Sequence, residues 1–85
     1  MFRHKNQGTC STAVTFDIID GKVRNVMFER GCHGNTQGIA ALVEGMDAEE
    51  AVRRLAGIQC RAGTSCPDQL SRGIREALDS MAAGQ

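Results

Sequence analysis

Residues 11–30, with the sequence STAVTFDIIDGKVRNVMFER, decide the fold of this chain. The apolar residues of the first half alternate with polar or smaller ones: Val14, Phe16 and Ile18. A second apolar series follows: Val23, Val26, Met27 and Phe28. Asp20-Gly21 lies between the two series and is a favoured two-residue hairpin turn, so the pattern predicts two antiparallel strands. A turn there would place Asp17 opposite Arg24, as a cross-strand ion pair on the wetter face of the sheet.

The sequence on either side of the hairpin predicts further elements. Residues 2–7 are expected to add a third strand. Beyond the hairpin the apolar period becomes helical and predicts a helix of about ten residues, which Asn35 or Thr36 would cap and Gly45 would end. The apolar side chains of this helix are Ile39, Leu42 and Val43.

Two more helices are expected after the first. Asp47 and Glu50 have capping-box spacing, which predicts a short second helix that ends before Gly57. Its apolar stripe is Ala51, Val52 and Leu55. Pro67 favours the first position of the last helix, which makes Cys66 the expected N-cap. The expected buried face of that helix is Leu70, Ile74, Ala77, Leu78 and Met81.

Element order and composition predict one small domain. Strands followed by helices predict an α+β fold over residues 1–85, with a small antiparallel sheet and three helices on one face. The formal net charge is zero and aromatic residues make up 4% of the chain, so there is no global basic field of the kind that a nucleic-acid binder usually shows. No apolar run is long enough to span a membrane or serve as a signal peptide, so we expect a cytoplasmic protein.

Positive charge is concentrated in the second half of the chain. Only Asp68 opposes the five arginines between residues 53 and 75, which are Arg53, Arg54, Arg61, Arg72 and Arg75. Such a run is either a solvated helix face or a docking patch for an acidic partner.

Four cysteines are the candidate functional residues. They are Cys10, Cys32, Cys60 and Cys66, and polar or small residues flank each one. An antiparallel hairpin would bring Cys10 and Cys32 to the same open end. Cys32 precedes one predicted helix and Cys66 starts another, where free N–H groups and the helix dipole favour a thiolate over a thiol. Cys60 is near enough along the chain to reach the same place.

The residues leave three interpretations of these cysteines open. Four thiolates suit tetrahedral zinc or an iron-sulfur cluster, although the chain has no CxxC motif. Alternatively, Cys60 and Cys66 form a reversible dithiol, or all four are semi-buried structural thiols. His33 could complete a site with three cysteines or point into water, and His4 is expected to be exposed. We find no phosphate loop, catalytic triad or pair of carboxylates, so no catalytic residue is predicted.

The cysteine segments resemble a known family. Residues 64–68, TSCPD, are the signature from which the TSCPD domain family takes its name, and residues 57–60 and 31–35 also look like that family. Its members are small stand-alone bacterial proteins and the C-terminal domain of adenosylcobalamin-dependent ribonucleotide reductases. The resemblance implies an accessory module near nucleotide reduction, whose partner is a ribonucleotide reductase or another acidic protein. The chain has no room for a reductase barrel, so reductase activity is expected of its relatives only.

Residues 8–10 (GTC), 28–32 (FERGC) and 43–45 (VEG), together with Ser65-Cys66 at the start of a helix, form a second pattern. It resembles the iron-sulfur scaffold proteins of the NifU N-terminal type. The resemblance implies that Cys10, Cys32 and Cys66 bind a cluster or zinc. Cys60 is extra to that family's set and is the candidate fourth ligand. Thr12 stands where that family has an Asp important for cluster release, and Ser65 stands where it has a His. These departures favour a closed four-thiolate site over cluster transfer.

Overall fold

The fold is a three-stranded antiparallel sheet followed by three helices. A computed structural model describes residues 1–9, 11–30, 33–58 and 65–83. The strands are β1 (Phe2–Lys5), β2 (Ala13–Ile19) and β3 (Lys22–Glu29), in the order β1-β2-β3. The helices are α1 (His33–Val43), α2 (Ala48–Leu55) and α3 (Cys66–Ala83). The predicted α+β class, the hairpin, the N-terminal strand and the three helices are confirmed.

The β2–β3 hairpin has the predicted turn and an unpredicted bulge. Asp20 and Gly21 have φ values of 53° and 76°, the positive values that a type I′ turn requires. Asp17 lies opposite Arg24 as predicted, but Asn25 adopts φ 57° and forms a bulge between that pair and the pair of Thr15 with Met27.

The predicted ion pair between Asp17 and Arg24 does not form, because each side chain has another partner. The Asn25 side-chain amide donates to Asp17 at 2.9 Å, and the N-terminal ammonium lies 3.3 Å from the same carboxylate. Arg24 turns instead to Glu44, at 3.4 Å. These neighbours hold the pKa of Asp17 below its usual value, chiefly through the Asn25 hydrogen bond.

The hydrophobic core lies between the sheet and the helices. Its buried members are Val14, Phe16, Val23, Val43, Ala48, Ala51, Leu70, Ile74 and Ala77. The Phe2 ring stacks on the Phe16 ring with 5.6 Å between centroids, which joins β1 to this core. Arg3, Lys5 and Met27 are exposed. One face of the sheet is therefore covered by helices.

Two apolar helix residues are exposed, and one of them, Met81, was predicted to be buried. Leu42 on α1 is 77% exposed and Met81 near the end of α3 is 42% exposed. Helical period alone placed both on the apolar faces, but α1 buries Thr36 and Val43 instead. Met81 lies beyond the last buried residue of α3, Ala77.

The helix caps differ from those predicted. Helix α1 already includes Asn35 and Thr36, so neither is its cap, whereas Gly45 follows its end with φ 79° as expected. Asp47 is the N-cap of α2 but its side chain makes no capping hydrogen bond. Glu50, the expected partner in a capping box, lies 3.0 Å from Arg53 instead.

Backbone hydrogen bonds tie the connection between α1 and α2 to the start of β3. The Val23 N–H donates to the Met46 carbonyl, and the Gly45 N–H donates to the Val23 carbonyl. The Ala48 N–H donates to the Gly21 carbonyl. The hairpin turn and the two helices are thus held as one unit. None of the described helices is long and apolar enough to cross a membrane.

Candidate functional site

The start of α3 is the part of the candidate site that the structure describes. Cys66 is its first residue and is 6% exposed. Cys10, Cys32 and Cys60 lie outside the described residues, as does the side chain of His33. Among the residues that are described, no group of three or more His, Cys, Asp or Glu side chains could hold a metal ion. The predicted four-cysteine cluster therefore remains a prediction.

Ser65, rather than Cys66, caps α3. The Ser65 hydroxyl oxygen accepts a hydrogen bond from the Asp68 N–H at 3.1 Å, and the Ser65 carbonyl accepts from the Gln69 N–H at 2.8 Å. A hydroxyl oxygen is a much better acceptor for orphan N–H groups than a thiol sulfur, which explains the difference from the prediction. The cap leaves the Cys66 side chain available for other contacts.

The Cys66 thiol contacts the residue that follows Cys10. Ser11 Oγ lies 2.9 Å from Cys66 Sγ, and the Asn6 side-chain amide donates to Ser11 Oγ at 2.8 Å. All three side chains are buried. This contact links the segment before β2 to the start of α3 across 55 positions of sequence.

Hydrogen bonds also fix the described residues that precede Cys32 and Cys60. The Thr12 N–H and hydroxyl both donate to the Glu29 carbonyl, which holds the end of β3 against the start of β2. The Ser65 hydroxyl donates to the Ile58 carbonyl at 2.6 Å, so the described ends of the α2–α3 connection meet at the start of α3. Described residues beside the four cysteines are thus joined in three contacts: Ser11 with Cys66, Thr12 with Glu29, and Ser65 with Ile58.

Asp68 also holds the residues after α2 against the start of α3, a role that sequence reasoning missed. Asp68 is 4% exposed, and its Oδ1 atom accepts a hydrogen bond from the Gly57 N–H at 2.8 Å. Oδ2 accepts from Arg72 Nε at 3.1 Å. In the TSCPD string, Ser65 and Asp68 therefore hold Ile58 and Gly57, the last described residues before the α2–α3 connection. The position of Asp68 in the first turn of α3 was the available signal.

The prediction that His4 is exposed is wrong, because β1 packs against α3. Its side chain is 14% exposed, with Nδ1 2.7 Å from Glu76 Oε1 and Nε2 3.0 Å from Gln69 Oε1. The Gln7 N–H also donates to Gln69 Oε1, at 3.1 Å. The predicted exposure assumed an ill-defined N-terminal stretch, whereas pairing with β2 fixes this segment.

The described arginines of the basic run are paired with acids. Arg53 and Arg54 both bind Glu50, and Arg72 binds Asp68. Arg75 binds Glu49 from α3 across to α2, and this hydrogen bond holds the pKa of Glu49 below its usual value. Arg61 lies outside the described residues. The acids of α2 therefore offset much of the positive charge that the sequence suggested.

Comparison with known families identifies the chain. The model of the TSCPD domain matches residues 2–78, which covers all six elements except the end of α3. The chain belongs to the TSCPD domain family. No curated protein matches this TSCPD domain, and no solved structure does. The resemblance to the NifU-type scaffold stays a prediction.

Proposed function

We propose that this TSCPD domain is a small accessory module that binds a metal ion through the thiolates of Cys10, Cys32, Cys60 and Cys66. Zinc or the iron of a labile iron-sulfur centre fits four sulfur ligands. The observation that carries the proposal is the 2.9 Å contact of Ser11 Oγ with Cys66 Sγ, because it brings the neighbour of one candidate ligand onto another.

The hydrogen bonds of Thr12 with Glu29 and of Ser65 with Ile58 support the same proposal. Thr12 holds the end of β3, three residues before Cys32, beside the start of β2. Ser65 holds Ile58, two residues before Cys60, beside Cys66. Short connections from fixed anchors limit how far the remaining ligands lie from the Cys66 sulfur, since each residue spans at most about 3.6 Å.

The size of the chain gives a metal a structural role. A domain of 85 residues buries a modest core, and hydrophobic burial in such small domains contributes only about 3–5 kcal/mol of net stability. Binding a structural zinc ion adds folding free energy directly, since the unfolded chain has no formed site. The proposed ion would therefore stabilise the end of the molecule opposite the Asp20-Gly21 turn.

A ribonucleotide reductase is the partner that the family resemblance suggests, and another acidic protein is the broader alternative. The arginines of α2 and α3 would provide the contact, with Arg53 and Arg54 the most exposed of those described. The proposal places the chain in the cytoplasm, where thiols stay reduced and available as ligands.

Metal content of the purified protein tests the proposal. We expect about one zinc ion, or a comparable amount of iron, per chain when the protein is purified without a metal-binding tag. Chelation should lower the melting temperature, and replacing Cys10, Cys32, Cys60 or Cys66 by Ser should each reduce the metal content. Ser71→Ala is the matched control, because this buried hydroxyl on α3 donates to the Asp68 carbonyl instead.

Metal-free protein whose melting temperature is unchanged by chelation would contradict the proposal. A thiol-redox partner without metal is the alternative, and it predicts a Cys60–Cys66 disulfide under mild oxidant. The burial of Cys66, at 6% exposure, disfavours this alternative because exchange with another protein needs an accessible sulfur.

A further inference from the structure

The Ser11 side chain lies between an amide and a thiol in the interior of the protein. Ser11 is 1% exposed, and its Oγ is 2.8 Å from Asn6 Nδ2 and 2.9 Å from Cys66 Sγ. Thr9 Oγ1 also lies near this hydroxyl, at 3.4 Å. Among the described residues, Ser11 therefore connects Cys66 to the segment between β1 and β2.

The direction of the hydrogen bonds follows from what each neighbour can donate. The Asn6 amide nitrogen carries only donors, so Ser11 Oγ accepts from it. The Thr9 hydroxyl gives its hydrogen to the Ser11 carbonyl oxygen, at 2.8 Å. The Ser11 hydroxyl hydrogen then remains for Cys66 Sγ, which at 2.9 Å is closer than Thr9 Oγ1 at 3.4 Å. When Cys66 is a thiolate it has no hydrogen to donate, so the Ser11 hydroxyl is the donor.

Asn6 has an unusual environment for a buried amide. Asn6 is 9% exposed, and within the described part of the chain its Oδ1 atom has no hydrogen-bond partner. Leaving a buried acceptor unsatisfied is costly, so an amide at this position needs a compensating interaction. The donation from Nδ2 to Ser11 is that interaction. Asn6 thus fixes the orientation of the Ser11 hydroxyl.

We propose that Ser11 is a positioning residue for Cys66 as a metal ligand, with Asn6 orienting Ser11. This inference rests on the function proposed above. Outer hydrogen bonds to a ligand fix its orientation and tune its electron donation, and their loss typically lowers metal affinity about 10- to 100-fold. The hydroxyl donates to the bound thiolate, offsets part of its negative charge and sets the direction of its lone pairs.

Cobalt titration of the full chain tests this role, because thiolate-to-cobalt charge-transfer bands report on the sulfur directly. We expect Ser11→Ala to bind Co²⁺ about 10- to 100-fold more weakly than the wild type, with a shifted charge-transfer band. Ser11→Thr keeps the hydroxyl and should restore both affinity and spectrum. Ser71→Ala removes an equally buried hydroxyl that faces the Asp68 carbonyl, and it should match the wild type.

The outcomes separate this inference from the proposed function. If the wild type binds no Co²⁺ or Zn²⁺, both are overturned. If the wild type binds metal while Ser11→Ala keeps its affinity and spectrum, only the role of Ser11 is overturned. If circular dichroism shows that Ser11→Ala does not fold, Asn6→Ala decides the matter. A wild-type spectrum and affinity in folded Asn6→Ala would overturn the inference.

Discussion

Gly73 is the residue at which α3 comes closest to the sheet. A Cβ atom there would lie 2.7 Å from His4 Cβ and 3.3 Å from the Phe16 ring. Glycine within a helix costs up to about 1 kcal/mol relative to alanine, so its presence in the middle of α3 needs a reason. The reason is the close approach that lets His4 reach both Gln69 and Glu76.

This contact predicts an unusual result for a glycine-to-alanine change in a helix. We expect Gly73→Ala to lower the free energy of unfolding by about 1–3 kcal/mol, because the added methyl group would overlap with His4 Cβ. Gly38→Ala on α1 is the control, since its Cβ would meet nothing, and it should stabilise the protein by about 1 kcal/mol. Urea unfolding measures both, and a Gly73→Ala protein as stable as the wild type would show that β1 and α3 are not in contact.

At the scale of elements, the start of α3 organises the connection from α2. Ser65 both caps the helix and binds the Ile58 carbonyl, while Asp68 binds the Gly57 N–H. Pro67 correctly predicted the start of this helix, but the N-cap was assigned to Cys66, one residue after the actual cap, Ser65. Hydrophobic period defines where a helix lies, whereas its first residue depends on which side chain reaches the orphan N–H groups.

The difference between the caps of α3 and α2 is testable. We expect Ser65→Ala to destabilise the protein by about 1 kcal/mol or more, because it removes a capping acceptor and a donor to Ile58. Asp47→Ala should cost less, since the Asp47 side chain makes no capping hydrogen bond. Thermal unfolding of the two variants side by side gives the comparison. Equal losses would mean that the Ser65 hydroxyl contributes no more than the helix dipole effect at Asp47.

At the scale of the whole molecule, ion pairs join elements that are far apart in sequence. Arg3 on β1 binds Glu29 on β3 through two hydrogen bonds, at 2.9 and 3.0 Å. Arg75 on α3 binds Glu49 on α2, at 2.7 Å. In each pair the hydrogen bond from the arginine is the main cause that lowers the pKa of the glutamate, and the positive charge of the arginine lowers it further.

These lowered pKa values predict the direction of acid sensitivity. A carboxylate with a lower pKa in the folded state stabilises the fold above its unfolded pKa of about 4.3, and this contribution is lost as the pH falls below that value. We therefore expect the melting temperature to fall more steeply below about pH 4 in the wild type than in Glu49→Gln. Both pairs are exposed, so the difference should be small and should shrink in high salt. Parallel pH profiles would show that the Arg75–Glu49 pair contributes nothing measurable.

The sequence by itself determined the hairpin turn at Asp20-Gly21, the order of strands and helices, and the presence of four cysteines in polar settings. These depend on residues close together along the chain, where alternation, helical period and turn preference act directly. The tertiary structure alone decided the burial of His4, the bulge at Asn25 and the contact of Ser11 with Cys66. Each depends on packing between distant segments, as in the 65 positions between His4 and Gln69. Local preferences carry no information about which surfaces meet when the chain closes, so only the folded arrangement places Ser11 against Cys66.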